Sequence, residues 1–362
     1  MDGIGRVCKY VRTDILYLFD FARHILQTMQ RDHAIFRHHV RSHIRLIPRL
    51  LLLIVVANAM SLSSQSMKVT DLHTFPVKGM GLTQLTSVYI ESPGETFPDD
   101  RRFALLKKER ASKKEFDSSN PEWIHKENFL CAFSAPLLMA RYECQYQILN
   151  SSSNSDQEIK RLLTIWERGE GGKSQMETTG PVLGPIDLDQ DSGRNELASF
   201  FSSVSGEEVA CVTATESKEH THQFGNTRSG VKARGDTRTV HIINAETVKQ
   251  FSDAIGIPLN PSRFRPNIVV AGMEPWAEFD LVGKSIAVKD EEDERLVLDV
   301  VSTTVRCEGV GVDPLDTSAG VLPIPALLSK HFPQHGPYLG VYAVVREGGR
   351  LSIGDTLTLC LD

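Results

Sequence analysis

From Lys68 onward, the chain consists mainly of short stretches in which apolar and polar residues alternate, separated by glycine and proline. Alternation with a period of two is typical of β-strands that bury one face. The pattern predicts strands at Val69–Phe75, Ser87–Ile90, Arg102–Leu106, Thr239–Ile243, Ile268–Ala271, Ser285–Val288, Leu296–Val301, Val341–Val345 and Thr356–Leu361. Many short strands with few helices indicate an α+β, predominantly β protein with a barrel-like domain rather than a doubly wound sheet.

Two helices stand out from this pattern. Asn244 is a favourable N-cap, Val248, Phe251 and Ile255 share one face, and Gly256 supplies a stop signal. A second helix is predicted at 196–204, where it closes the first folded unit.

Residues 1–66 have a different composition. They contain nine Lys/Arg and four Asp, about +5, whereas the remaining 31 Lys/Arg and 42 Asp/Glu give the body about −11. The apolar run Leu50–Met60 is shorter than the roughly 20 residues of a membrane span. A mitochondrial transit peptide, a membrane anchor and a flexible, non-native extension of a cytoplasmic protein are the open interpretations.

These features divide the chain into an extension (1–67), a first domain (68–205) and a second domain (206–362). The acidic body argues against nucleic-acid binding, which requires a basic face. The six cysteines are scattered without a Cys-x-x-Cys pair, so neither a disulfide scaffold nor a clustered metal site is predicted.

Cys307 is the main candidate for chemistry. It follows Arg306 in a glycine-rich turn after a predicted strand, and a thiolate is a soft metal ligand. The alternative is a small buried hydrophobe, the usual role of a lone cysteine. Gly171-Gly172-Lys173-Ser174 lacks the earlier glycine of a phosphate-binding loop, and His220 with His222 lack partners at zinc-site spacing.

Several short motifs occur together in one order and resemble the MOSC family, named for the C-terminal domain of molybdenum cofactor sulfurase, with its companion N-terminal β-barrel domain. The motifs are Phe75-Pro-Val-Lys78, Asp100-Arg-Arg-Phe103, Trp123-Ile-His-Lys126, Asp236-Thr-Arg238, Phe264-Arg-Pro-Asn-Ile268, Arg306-Cys307, Val312-Asp-Pro314 and Leu339-Gly-Val-Tyr342. The resemblance covers about 68–362 and is nearest to proteins like the mitochondrial amidoxime reducing component. It implies a MOSC β-barrel domain packed with an N-terminal β-barrel-like domain.

The resemblance also implies a molybdenum cofactor (molybdopterin) site, with Cys307 as the catalytic metal ligand. Residues expected to bind the cofactor are Lys78 and Arg101 from the first domain and Thr237, Arg265, Asn267, Arg306 and Tyr342 from the second. Four departures bear on the substrate: Gly79 and Val305 replace serines, Arg238-Thr239 replaces Ser-Pro, and 315–320 is an insertion.

Two functions follow from the resemblance. The first is an oxidoreductase that reduces small N-hydroxylated compounds, with electrons from a separate haem or flavin protein, because the chain has neither an iron–sulfur cysteine cluster nor a Gly-x-Gly-x-x-Gly motif. The alternative is a protein that carries or delivers the cofactor or sulfur without turnover. A pyridoxal-phosphate-dependent sulfurase is disfavoured because the chain has no room for the aminotransferase-sized domain.

Overall fold

The computed structural model describes residues 66–91, 93–111, 124–151, 158–213, 224, 238–288 and 296–360. The predicted extension, Thr237 and the His220/His222 pair lie outside these residues. No helix among the described residues has the length and apolar character needed to cross a membrane.

The largest sheet is a closed barrel of seven strands with one further strand at its edge. The strands are β1 (Met67–Thr74), β2 (Thr83–Leu85), β10 (Val240–Asn244), β11 (Ile268–Ala271), β12 (Ser285–Val288), β13 (Val297–Val305), β14 (Tyr338–Glu347) and β16 (Thr356–Leu359). Their order is β11-β10-β14-β13-β12-β16-β1-β2, and the pairing of β1 with β11 closes the barrel. The predicted barrel-like, mainly β fold is therefore confirmed.

The barrel closes around alternating apolar side chains. Leu72, Ile242, Leu298 and Val341 are buried in one continuous cluster with the inward residues of the other barrel strands. Strand β1 belongs to this barrel and β2 pairs with it at the edge, although both come from the predicted first domain. Polar groups from both predicted domains therefore lie within reach of one barrel rim.

The remaining strands form three small sheets. They are β4 (Phe103–Lys107) with β5 (Phe129–Leu130) and β9 (Val209–Thr213), then β6 (Tyr142–Ser151) with β7 (Glu158–Glu167) and β8 (Leu183–Asp187), and β3 (Ser87–Ile90) with β15 (Gly349–Ser352). A second apolar cluster, including Phe103, Leu163 and Phe201, fills the space between the first two of these sheets and a helix.

The helices are α1 (Lys108–Ala111), α2 (Pro136–Ala140), α3 (Asp191–Ser205), α4 (Ala245–Ile255) and α5 (Ile324–His331). The prediction for α4 is confirmed at both ends: the Asn244 side chain accepts a hydrogen bond from the Glu246 amide at 3.1 Å, and Gly256 is left-handed at φ 68°. The predicted helix at 196–204 is confirmed as the longer α3.

The sequence pattern missed the hairpin of β6 and β7, strand β8, strand β15 and helix α5. Lys160 and Arg161 interrupt the apolar alternation of β7, but Arg161 is buried and bonds Asp99 and Asp189 at 2.8 and 3.0 Å. Because both partners come from distant parts of the chain, local periodicity could not reveal a buried charged strand position.

Candidate functional site

Cys307 lies at the rim of the barrel, where β13 has just ended. Its carbonyl accepts a hydrogen bond from the Val310 amide at 3.2 Å, closing a 3-10 turn over Glu308–Val310. The side chain is partly exposed rather than packed in the core. The structure thus places this thiol where a ligand could reach it, unlike the buried thiols of Cys131 and Cys144.

A buried arginine that sequence reasoning missed holds the Cys307 turn in place. Arg263 is 1% exposed, and its Nη1 donates to the Gly311 carbonyl at 2.8 Å and the Val310 carbonyl at 3.4 Å. Its Nε lies 3.8 Å from the carboxylate of Asp313. The guanidinium therefore links the segment before β11 to the turn that carries the thiol.

Arg306 is buried beside the Phe264 ring, with its guanidinium carbon 5.4 Å from the ring centroid. Its guanidinium donates to the Phe264 carbonyl at 2.5 Å and the Leu339 carbonyl at 3.3 Å, and Nη1 lies 3.1 Å from Nε2 of His241. Burial lowers the Arg306 pKa. Its Nε has no hydrogen-bond partner among the described residues.

His241 was not predicted as a site residue, although a histidine within the apolar strand Val240-His-Ile-Ile243 was a signal. Its Nδ1 lies 3.3 Å from the Arg265 carbonyl, and its Nε2 faces Arg306. Burial and the Arg306 charge hold its pKa well below the usual value. The imidazole is therefore neutral, with Nδ1–H donating to Arg265 and Nε2 accepting from Arg306.

Tyr342 stands beside this pair. Its ring centroid lies 5.2 Å from that of His241, and burial raises the pKa of its hydroxyl. The hydroxyl makes no hydrogen bond to a residue that the structure describes. It remains neutral at physiological pH and has a donor available for a ligand.

Arg101 and Arg265 come from different predicted domains and both lie over the ring of Phe75. Their guanidinium carbons are 4.6 and 4.4 Å from its centroid. Both residues adopt left-handed backbone conformations, with φ of 53° and 57°, uncommon for non-glycine residues and often found at functional sites. Burial and the neighbouring Arg101 lower the Arg265 pKa to about 9.

Hydrogen bonds fix the directions of these two arginines. Arg101 donates to the Asp100 carboxylate and, at 3.0 Å, to the Arg265 carbonyl. Arg265 donates to the Met80 carbonyl at 2.7 Å. The first domain thereby contributes both a cation and a backbone acceptor to the rim of the barrel.

Asn267 connects the same network to strands β1 and β10. Its amide oxygen accepts from the His241 backbone amide at 3.0 Å and from Arg101 at 3.4 Å, while its nitrogen donates to the His73 carbonyl at 3.2 Å. The side chain is 1% exposed, and both its amide oxygen and its amide nitrogen bond to the protein. Asn267 thus positions Arg101 in this structure.

Lys78 completes the cluster from the first domain. Its ammonium donates to the Phe224 carbonyl at 2.7 Å. Burial lowers its pKa, while the thiols of Cys131 and Cys307 act in the opposite direction. Lys78 is therefore close to two sulfurs as well as to the site arginines.

Lys78, Arg101, Arg265 and Arg306 form a cluster of positive charges, and carboxylates among the described residues do not balance these charges. Asp100 pairs with Arg101, whereas Lys78, Arg265 and Arg306 have no carboxylate partner in the described part of the chain. Buried cations without counter-ions are unfavourable. The arrangement consequently favours an anionic ligand.

A narrow cleft lies beside Arg265. Arg263, Arg265 and Gly309 line it on the second-domain side, and residues 79–81 with α2 line it opposite. Of the expected residues, Arg265 lines this cleft, whereas Lys78, Arg101, Asn267, Arg306, Cys307 and Tyr342 do not. Hydrogen bonds connect Arg101, Arg265 and Asn267, and His241 connects them to Arg306. Thr237 lies outside the described residues.

Two departures from the family pattern have structural causes. Gly79 has φ 84°, and a Cβ there would lie 2.5 Å from both the Ala132 amide nitrogen and the Cys131 Cβ, so a serine at this position would be strained. The inserted segment packs on the first domain, since a Cβ on Gly172 would meet the Thr317 hydroxyl oxygen at 2.6 Å.

Comparison with known proteins gives a family match for the C-terminal part of the chain. Residues 220–358 match the family described as the MOSC domain. This part of the chain is a MOSC domain. The matched range includes Arg265, Arg306, Cys307 and Tyr342, and it relates the chain to molybdenum-cofactor proteins.

Two solved structures match the chain at low identity. The YUAD protein from Bacillus subtilis has 10% identity and a TM-score of 0.35, with coverage of 81% of this chain and 95% of its own. YiiM from Geobacillus stearothermophilus has 16% identity and a TM-score of 0.26, with coverage of 34% and 54%. No curated protein matches the sequence.

The residues present suit the cofactor that the MOSC domain implies. The described chain has no cluster of three His, Cys, Asp or Glu that could hold a metal without further ligands. A single accessible thiol among uncompensated cations instead suits a metal whose other ligands arrive with an anionic organic group. The unpartnered Arg306 Nε and Tyr342 hydroxyl add donors for such a group.

Proposed function

We propose that this protein is a molybdenum-cofactor-dependent oxidoreductase that reduces small N-hydroxylated compounds. The observation that carries the proposal is the partly exposed Cys307 thiol among Lys78, Arg101, Arg265 and Arg306, three of which lack a carboxylate partner in the described residues. The MOSC match supports the cofactor class. The reaction itself is inferred from the family resemblance.

In this proposal each residue has a defined task. Cys307 would supply the protein's sulfur ligand, and Arg263 would keep its turn fixed. Lys78, Arg265 and Arg306 would bind the negatively charged parts of the cofactor through charge-assisted hydrogen bonds. Arg101, Asn267 and His241 would hold these groups in position, and Thr237 is assigned to the same role from the resemblance alone.

The bound cofactor would supply two-electron chemistry at molybdenum, which the chain's own side chains cannot perform. The overall conversion takes an N–OH group, two electrons and two protons to N–H and water. An external haem or flavin protein would provide the electrons. The neutral Tyr342 hydroxyl is a candidate proton donor beside the thiol, since burial keeps it protonated.

A carrier that binds the cofactor without turnover is the second candidate. The same thiol and cations would serve it, and the cleft geometry does not by itself distinguish binding from catalysis. The two functions differ in whether a substrate is consumed.

The test is metal analysis of the purified full chain, followed by benzamidoxime reduction with a chemical electron donor. Molybdenum with turnover supports the oxidoreductase, and molybdenum without turnover supports the carrier. Cys307→Ala should abolish both molybdenum content and activity. Cys360→Ala is the matched control, because Cys360 is also partly exposed but lies at the end of β16.

One result would contradict both functions. The parent protein, produced in a host that makes the cofactor, would contain no molybdenum, and Cys307→Ala would have the same metal content and activity as the parent. Thermal unfolding of all three proteins shows whether a loss of metal merely follows a loss of structure.

A further inference from the structure

A lysine outside the cofactor cluster is held at the approach to Cys307. Lys126 begins the 3-10 turn Lys126–Asn128, and its ammonium lies 3.8 Å from the centroid of the Phe133 ring. Cation–π contact at this distance restrains a side chain that would otherwise be mobile. The Lys126 carbonyl also accepts a hydrogen bond from the Cys131 thiol at 3.7 Å.

Phe133 connects Lys126 to the thiol turn. A Cβ built on Gly309 would lie 3.5 Å from the Cys307 Sγ and 3.5 Å from the Phe133 Cβ. Phe133 and the Cys307 sulfur therefore flank the same glycine, one from each predicted domain. Because the Lys126 ammonium lies over the Phe133 ring, its charge is on the same side of Gly309 as Phe133.

The Lys126 charge is not neutralised by the described residues. No carboxylate within the described ranges pairs with it, although it is partly buried. The adjacent acid, Glu127, lies 3.5 Å from the His125 ring instead. Glu308 is exposed on the turn and makes no ion pair among the described residues.

We infer that Lys126, held over Phe133, selects N-hydroxylated substrates that carry a carboxylate. The inference rests on the proposed function and specifies the substrate class of the same site. Lys126 is not among the residues that the resemblance assigns to the cofactor, and we assign it to the substrate. A substrate carboxylate that comes near this ammonium gains an attraction worth about threefold in binding at low salt.

The first experiment compares benzamidoxime with its 4-carboxylate derivative in the full molybdenum-loaded protein. Lys126→Gln should lower kcat/KM about threefold more for the carboxylate derivative than for benzamidoxime, mainly through KM, and added salt should erase the difference. Lys126→Arg should retain the parent preference. Lys284→Gln, which removes an exposed charge just before β12, should also retain it.

The second experiment needs no turnover. In the full chain purified from a host without the cofactor, alkylation of Cys307 is followed by peptide mass spectrometry with anionic iodoacetate and neutral iodoacetamide. Lys126→Gln should reduce the iodoacetate-to-iodoacetamide rate ratio about threefold, and Phe133→Leu should reduce it in the same direction because the ammonium loses its support.

The outcomes separate the inference from the proposed function. A protein without molybdenum or turnover removes the proposed function, while the alkylation ratio still decides whether Lys126 draws anions to the thiol. Equal losses for both substrates in Lys126→Gln, or an unchanged alkylation ratio, would overturn the inference even in an active enzyme.

Discussion

Nη1 of Arg306 lies 3.1 Å from Nε2 of His241, so a buried guanidinium donates to a neutral imidazole directly beneath the thiol turn. Replacing His241 by Phe removes the acceptor and leaves that N–H with only the longer bond to the Leu339 carbonyl. The free energy of unfolding should fall by about 1–3 kcal/mol, and molybdenum content should fall with it.

Denaturant titration and metal analysis measure both effects of His241→Phe. His241→Gln should recover part of each, since its amide oxygen can accept from Arg306. His331→Gln, in the last turn of α5, is the control. Full molybdenum content in His241→Phe would show that the pair has no role in cofactor retention.

Phe75 should contribute to cofactor retention as well as to core packing, because Arg101 and Arg265 both lie over its ring. Phe75→Leu and Phe97→Leu both alter fully buried phenylalanines and should lose a similar packing contribution of about 1–3 kcal/mol. Only Phe75→Leu removes two cation–π contacts of about 0.5–2 kcal/mol each. Cofactor retention after dialysis should therefore fall in Phe75→Leu alone; equal retention in the two variants contradicts the expectation.

Arg263→Met should release the Cys307 turn, because it removes the donors to the Val310 and Gly311 carbonyls while keeping an apolar stem. We expect faster amide exchange in 308–313 and faster alkylation of Cys307. The alkylation rate of Cys360 in the same sample is the internal control. Exchange that rises uniformly along the chain would indicate general destabilisation instead.

Gly79→Ser introduces the residue that related proteins usually have, yet it should weaken this protein. The φ of 84° and the 2.5 Å approach to Ala132 and Cys131 predict a loss of about 1–3 kcal/mol in unfolding free energy. Gly94→Ser has φ 78° but open space around its Cβ, so it separates backbone strain from steric contact. An equal loss of unfolding free energy in Gly79→Ser and Gly94→Ser would show that the contact with the Cys131 segment does not destabilise the serine variant.

Glu278 predicts a pH-dependent stability that is independent of the site. Burial raises its pKa from 4.5 to about 7, and its carboxylate accepts from Thr247 at 2.8 Å and Asn244 at 3.2 Å. Because the folded-state pKa is the higher one, the stabilisation is complete below about pH 4.5 and is lost as pH rises through about 7.

Comparing unfolding free energies of the parent and Glu278→Gln between pH 5 and 8 isolates this group. The parent should lose up to about 3 kcal/mol relative to the variant across that range. Parallel curves would mean that Glu278 is ionised in the folded protein throughout.

Helix α4 and the short barrel strands were predictable because their signals are local. Asn244, Gly256 and the 3.6-residue spacing of Val248, Phe251 and Ile255 need no distant partner. The hairpin of β6 and β7 was not predictable in this way, because Arg161 becomes a strand residue only when Asp99 and Asp189 neutralise it.

Some residues of the candidate site were likewise predictable from the sequence, and others were not. Motif order identified Cys307, Arg306, Arg265 and Lys78 as candidates, but Arg263 and His241 carry no motif of their own. Their importance follows from buried hydrogen bonds to residues 47 or more positions away, such as the Arg263 bond to Gly311 and the His241 contact with Arg306.

The sequence by itself determined a mainly β protein with a capped helix α4 and a MOSC-like set of residues around one cysteine, because periodicity, capping and motif order are written in neighbouring positions. Tertiary structure alone decided that β1 closes the barrel with β11, that the site cations outnumber their described carboxylate partners, and that a side chain at Gly79 would press on the Cys131 segment. These properties depend on which distant backbone segments approach one another. The free-energy cost of the unpaired cations is likewise set by their burial, not by composition.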